Sequence, residues 1–184
     1  LKNHTTTPAF NSQELGPYIT LADRELRLIS VFDDLRYDRA DADMLTPAMR
    51  KHAVERLGRF GFRQMSGTVL ENRANDTRCL MPKSHALGAS PFDITRYTPR
   101  RDQDFYILTP TQTACQFIDH YDHEDAVSRV ANLMRMQPLN LFRLMDYLEH
   151  TDAHRQFLQA IKFLKDFQAD VITKDPLRQR RALG

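Results

Sequence analysis

Asp104-Phe-Tyr-Ile-Leu108 runs without a break into Thr109-Pro-Thr-Gln112, and this junction constrains the fold more than any other stretch of the chain. The first five residues, apolar and rich in aromatics, read as a short strand. Thr109 then supplies the hydroxyl of an N-cap, and Gln112 stands three residues on. Pro110 takes the first helical position, where a missing N–H does no harm. A strand and a helix must therefore meet with no loop between them, the helix running through Phe117 and Ile118 to about His120.

Similar reasoning organises the rest. Thr20 and Asp23 have capping-box spacing, and Leu21, Leu28, Ile29, Phe32 and Leu35 fall on one face, which predicts a helix over 20–36. Thr46-Pro47 opens a helix to about Arg59 with the apolar stripe Met49, Ala53, Val54, Leu57 and Phe60, closed by Gly58 and Gly61. Phe62 to Leu70 and Thr77 to Met81 are β-prone runs separated by the turn-like stretch 71–76. Residues 82–103, punctuated by Pro82, Gly88, Pro91 and Pro99, show no sustained period and read as a long loop. Beyond His120 the chain is helical: about 123–136 capped by Asp122, then Pro138 to about His150, then 152–172. Phe157, Leu158, Ala160, Ile161, Leu164, Phe167, Val171 and Ile172 give the last helix an apolar face about half its circumference wide. A face so broad fits a dimer or partner interface at Phe157, Ile161, Leu164, Phe167 and Val171, or equally the centre of a monomeric bundle.

Charge is unevenly spread along the 184 residues. Residues 44–101 hold eleven Lys or Arg against four acids, while the remainder carries 15 bases against 20 acids, under a net charge of +2. A basic block of +7 inside an acidic remainder points to a polyanionic partner. Lys51, His52, Glu55, Arg56 and Arg59 fall opposite the apolar stripe of the 47–59 helix, and Arg73, Arg96, Arg100 and Arg101 lie in the region after it. Tyr97, beside Arg96, could stack on a base or ribose, though an ordinary loop tyrosine is the favoured reading. The first-choice partner is nucleic acid, through Lys51, His52, Arg56, Arg59, Arg73, Arg96, Arg100 and Arg101. The second is a protein docked on the C-terminal helices.

Catalytic patterns are weak. With six glycines there is neither a GxGxxG nor a Walker loop, and no nucleophile elbow surrounds Ser66 or Ser84. Cys79 and Cys115, 36 apart, read as buried reduced thiols. His120 and His123 with His150 and His154 are the one metal-like constellation, with Asp119, Asp122 and Asp146 as further oxygen donors. The 150–154 pair, however, straddles a helix junction and no Glu sits between its histidines. No apolar run approaches the ~20 residues of a membrane span, and the first ten residues lack a signal-type stretch. The expectation is a cytoplasmic, non-enzymatic regulatory or accessory protein with no cofactor, no metal and no membrane contact, a His-rich metal-dependent hydrolase being the remote alternative.

Val54-Glu-Arg-Leu-Gly-Arg-Phe-Gly-Phe62 resembles the end of a winged-helix recognition helix running into its wing. Phe105-Tyr-Ile-Leu-Thr-Pro-Thr-Gln112 resembles the return strand of a wing, as in repressors of the multiple-antibiotic-resistance type. The resemblance covers about residues 20–120. It departs from the pattern in the nine residues between 36 and 46, short for a second helix, and in the more than 40 residues from Phe62 to Phe105, long for a wing. It implies that the polar face of helix 47–59 enters a major groove while wing residues touch phosphates. The expected organisation is α+β and mainly helical. An irregular lead-in over 1–19 precedes a winged-helix-like part with a small antiparallel sheet over 20–121. A helical interaction region follows over 122–172, and a basic flexible tail over 173–184.

Overall fold

The computed structural model describes residues 19–31, 44–83, 90–148 and 150–175. The fold is α+β. Strands β1 (Ile19–Asp23) and β2 (Leu28–Val31) form an antiparallel hairpin, followed by helix α1 (Pro47–Gly58). A meander of β3 (Arg63–Gln64), β4 (Val69–Asn72) and β5 (Thr77–Leu80) leads, after a crossing segment, to β6 (Phe105–Leu108). The sheet order is β1-β2-β6-β5-β4-β3. β6 is inserted parallel to both β2 and β5, and the other pairings are antiparallel.

All four residues of β6 are buried, as expected of a central strand covered on both faces. The period of two assigns them to opposite layers. Phe105 and Ile107 join Ile29, Val31, Leu70, Cys79 and Met81 in a cluster closed by Met49, Ala53 and Leu57 of α1. Tyr106 and Leu108 join Leu28 and Leu80 in a larger cluster on the other face. That cluster is covered by α2 (Pro110–His120), α3 (His123–Met136), α4 (Leu141–Met145), α5 (Asp152–Leu158) and α6 (Ile161–Thr173). The molecule is thus a sheet between one helix and a helical layer.

The strand-to-helix junction at 108–110 has the predicted form. Thr109 Oγ1 accepts from the Gln112 N–H at 3.2 Å, and Gln112 Oε1 accepts from the Thr109 N–H at 3.0 Å. Thr46 caps α1 through the Met49 N–H and Asp122 caps α3 through the Asp125 N–H. β1 is tied to the helical layer by Asp23, whose carboxylate accepts from the Tyr121 hydroxyl and the Arg129 guanidinium.

Several segments differ from expectation. The described part of 20–36 is the β1–β2 hairpin. Leu28-Ile-Ser-Val31 is buried throughout, and so short an apolar run has no period by which to tell strand from helix; β-branched Ile29 and Val31 suit the strand. The sheet is six-stranded and mixed, not small and antiparallel, because β2 pairs with β6 although α1 and the whole β3–β5 meander lie between them in sequence. The 152–172 helix breaks at Gln159 and Ala160 into α5 and α6, and the helix after Pro138 is confined to α4. In the 82–103 stretch, the described residues 90–103 are turns packed by buried Phe92 and Ile94. The lead-in up to residue 18 and the tail from 176 lie outside the described residues. Among those described, no helix is long and apolar enough to cross a membrane.

Candidate functional site

The parallel strands β2, β6 and β5 begin at one end of the sheet, where Arg27, Asp104 and Asp76 immediately precede them and Arg78 is the second residue of β5. Asp104 precedes β6 and is fully buried. Register places Cys79 opposite Phe105, so Arg78 stands beside Asp104. The Arg78 guanidinium donates to both carboxylate oxygens, at 2.7 and 3.3 Å. Arg101 donates from Nε at 3.2 Å and from its backbone N–H at 2.9 Å. Burial alone would push the Asp104 carboxyl up. The hydrogen bonds from Arg78 and Arg101, with the charge of Arg78, outweigh it and hold the group below its ordinary value.

Two further guanidinium groups are held at the same place by backbone carbonyls. Arg27 donates from Nε to the Asp104 carbonyl at 3.1 Å and from Nη2 to that of Gln103. Arg100 donates from Nη1 to the carbonyls of Asp104, at 3.0 Å, and Arg27, at 3.4 Å. Arg27 lies 3.9 Å over the Phe105 ring and Arg100 4.7 Å over the Tyr106 ring. Phe105 and Tyr106 face opposite sides of β6, so the two cations flank the sheet end. Burial, then the charge of Arg100, lowers the Arg27 pKa, yet an arginine so placed stays protonated. Four cations therefore gather at one buried carboxylate. Arg78 and Arg101 are held by the carboxylate, whereas Arg27 and Arg100 are held by main-chain oxygens, which carry no compensating charge.

The same end of the sheet continues toward its far edge. The β4–β5 turn carries Arg73, whose guanidinium bonds Glu71 at 3.1 Å and remains 81% exposed. Arg63 opens β3 opposite Glu71. The Asn72 side chain donates to the Phe60 carbonyl at 2.9 Å, which docks the C-terminal end of α1, with Arg59, beside that turn. Gly61, at φ +85°, makes the reversal from α1 into β3 that a side chain would strain. From β2 to β3 this rim spans about 19 Å, at ~4.8 Å per strand. Its acids among the described residues are Glu71, Asp76, Asp102 and the buried Asp104, and the adjoining end of the β1–β2 hairpin adds Asp23 and Glu25.

The residues expected from sequence divide accordingly. Arg59, Arg73, Arg100 and Arg101 meet at the rim, with Arg56 half-buried one turn back on α1. Arg96 lies on the helical side of the sheet, paired with Asp93 at 3.1 Å. Lys51 is exposed and 3.9 Å from Glu55, but it sits toward the other end of α1. There its neighbour Arg50 bonds the Met81 and Pro82 carbonyls beyond the end of β5. His52 is buried, 8% exposed. With Met49 and Ala53 it shares the inward face that spacings of three and four create, which removes it from any surface. Arg27 and Arg78 complete the cluster. Arg78 was present only as part of the basic block, and Arg27 lies outside that block; pairing of β2 with β6 alone brings it in.

The expected interface on the last helix is largely internal. Phe157, Ile161 and Leu164 are buried in the chain's own core, and Phe167 and Val171 are half-buried. The exposed apolar side chains nearby are Phe142, Met136 and Phe163. His150 precedes the Thr151 cap of α5, while His154 is buried against the Phe92 ring and bonded to Asp119 at 2.8 Å. The i,i+4 pair therefore does not share a helical face. Among the described residues, no three His, Cys, Asp or Glu side chains gather as a metal site would require. Cys79 and Cys115 are both buried thiols.

No protein-family model, curated protein or solved structure matches the chain.

Proposed function

We propose that this protein binds nucleic acid without acting on it, with duplex DNA as the target and the arginine-lined end of the sheet as the contact surface. The observation that carries the reading is the gathering of four guanidinium groups at residue 104: Arg78 and Arg101 on the buried Asp104 carboxylate, and Arg27 and Arg100 on the Asp104 main-chain carbonyl. A fixed guanidinium fork suits phosphate oxygens and loses less freedom on binding than a mobile lysine. Arg59, Arg63 and Arg73 extend the surface along the sheet end, so one strand of a duplex can be followed over several phosphates. The winged-helix resemblance belongs to this reading in its finer form: α1 stands for the basic helix, and the β4–β5 turn with Arg73 for the wing. Intracellular action on DNA would fit the cytoplasmic expectation.

The test is a fluorescence-anisotropy titration of a labelled duplex at several salt concentrations. Affinity should fall linearly on a log–log plot through counterion release. Arg59→Ala with Arg73→Ala should reduce that slope by about two, close to one for each phosphate left unneutralised. Failure to bind at low salt would sink the reading.

A protein partner is the second reading. It is favoured by an apolar groove of about 280 Å³ between α4 and α6, lined by Leu141, Met145, Ile161 and Ile172, beside Phe142, which is 68% exposed. Methionine-containing grooves adapt to helical ligands.

A further inference from the structure

Behind the rim, on the helical side of the sheet, the turns over 90–100 and α2 enclose a second feature. It is a cleft of about 240 Å³ whose apolar floor is Leu26, Leu28 and the Tyr106 ring. Its polar lining comes from Thr95, Arg96, Arg100, Gln116 and His120, and no carboxylate lines it among the described residues. Outside the lining, Asp93 pairs with the exposed guanidinium of Arg96, and the Asp23 carboxylate accepts from the Leu26 N–H.

All the polar groups but the exposed Arg96 side chain are held from behind. Arg100 is held by Nη1 on two carbonyls and sits over the Tyr106 ring. The Tyr106 hydroxyl donates to the Thr95 and Thr98 carbonyls and so anchors the turn that carries Thr95 and Arg96. His120 Nδ1 donates to the Gln116 carbonyl at 2.9 Å, which leaves Nε2 as the ring's remaining polar atom. Gln116 is 3% exposed, with Oε1 3.5 Å from the Thr95 hydroxyl, and its Nε2 has no hydrogen-bond partner among the described residues. Turning the amide over exchanges its two heads and leaves the other one without a partner. A buried amide in that state is destabilising unless something else satisfies it.

We propose that this cleft binds a phosphate monoester. Two guanidinium groups, a hydroxyl, an amide and an imidazole approach from several directions, as a tetrahedral group with three terminal oxygens requires and a planar carboxylate does not. The leucine and tyrosine floor takes the carbon-bearing side of the ester. The volume lies below the ~300–1,000 Å³ of pockets for drug-sized ligands, so a phosphoryl terminus and a few adjoining atoms enter, not a whole dinucleotide. The ester could be the end of a nucleic-acid strand or a small free phosphate ester. The site does not depend on duplex binding at the rim.

The test uses the full chain and calorimetric titration with inorganic phosphate, with thymidine 5′-monophosphate, and with an oligothymidylate carrying either a 5′-phosphate or a 5′-hydroxyl. Saturable binding of phosphate and of the phosphorylated probes is expected, with the hydroxyl-ended strand weaker. A strand end as natural ligand would make the phosphorylated oligonucleotide tighter than the mononucleotide; a small ester would make the two equal. Gln116→Leu should weaken phosphate binding about tenfold. Arg96→Glu, at an exposed position where a substitution costs little stability, should do at least as much. Arg59→Ala with Arg73→Ala should leave it unchanged, so that loss of duplex binding and loss of phosphate binding are separable. Absence of phosphate binding by the wild-type chain, or binding unmoved by Arg96→Glu, would overturn the assignment.

Discussion

Arg78 donates two hydrogen bonds to Asp104, a carboxylate with no exposed surface at the start of the central strand. Arg101 shares the carboxylate and Arg27 and Arg100 are held on the adjoining carbonyls, so removing it leaves four guanidinium groups repelling one another. Asp104→Ala should destabilise the fold by about 3 kcal/mol, read as a lower urea midpoint with an unchanged slope. Arg78→Ala should lose less, about 1–2 kcal/mol, because Arg101 still holds the acid.

The same pair sets an acid limit. The Asp104 carboxyl titrates lower in the folded chain than its ordinary value of 3.8. A depressed acid stabilises the fold fully above its unfolded pKa and stops doing so as pH falls through the folded value. The stability difference between wild type and Asp104→Asn should therefore be constant near neutrality and shrink only below about pH 4. Thermal melts across pH 2–7 would show it; a difference that shrank already at pH 6 would contradict it.

Burial raises the Cys79 thiol well above its ordinary value, with the neighbouring Asp104 charge adding to the effect. Cys115 is equally inaccessible. Neither thiol should react with a disulfide reagent in the native protein, and both should react once the chain is unfolded in denaturant. Rapid labelling of Cys79 in the native state would show that the sheet opens locally.

Gly61→Ala should destabilise by about 1–2 kcal/mol. Its positive φ disfavours any side chain, and the new Cβ would lie 3.4 Å from the Asn72 amide. Because that amide holds the end of α1 beside the β4–β5 turn, duplex affinity should fall together with stability. A stability loss with unchanged affinity would place the contact surface elsewhere.

Thr109→Ala removes one half of the capping box at the buried start of α2, and a loss of about 1–2 kcal/mol is expected in denaturant titrations. Thr109→Ser, which keeps the oxygen, should retain most of the stability.

The sequence carried this junction in full because capping is local: Thr109, Pro110 and Gln112 declare the helix within four residues. The same holds for Thr46 and α1. The β1–β2 hairpin was not legible, since Leu28-Ile-Ser-Val31 is covered on both faces and loses the alternation that marks a half-exposed strand. The mixed sheet follows from pairings between β2 and β6 that no local signal encodes. Arg100 and Arg101 were visible as basic residues, but their partnership with Arg27 exists only through that pairing. His52 shows the limit of a helical wheel, because one position between inward and outward faces decides whether an imidazole meets solvent or core.

Because β6 hands Phe105 and Ile107 to one apolar cluster and Tyr106 and Leu108 to the other, four residues form the common wall of two compartments that share no side chain. A change of volume in one compartment can be absorbed by its own helices without disturbing the neighbour. The two layers can then diverge in sequence at independent rates. A proline in that wall would breach both at once.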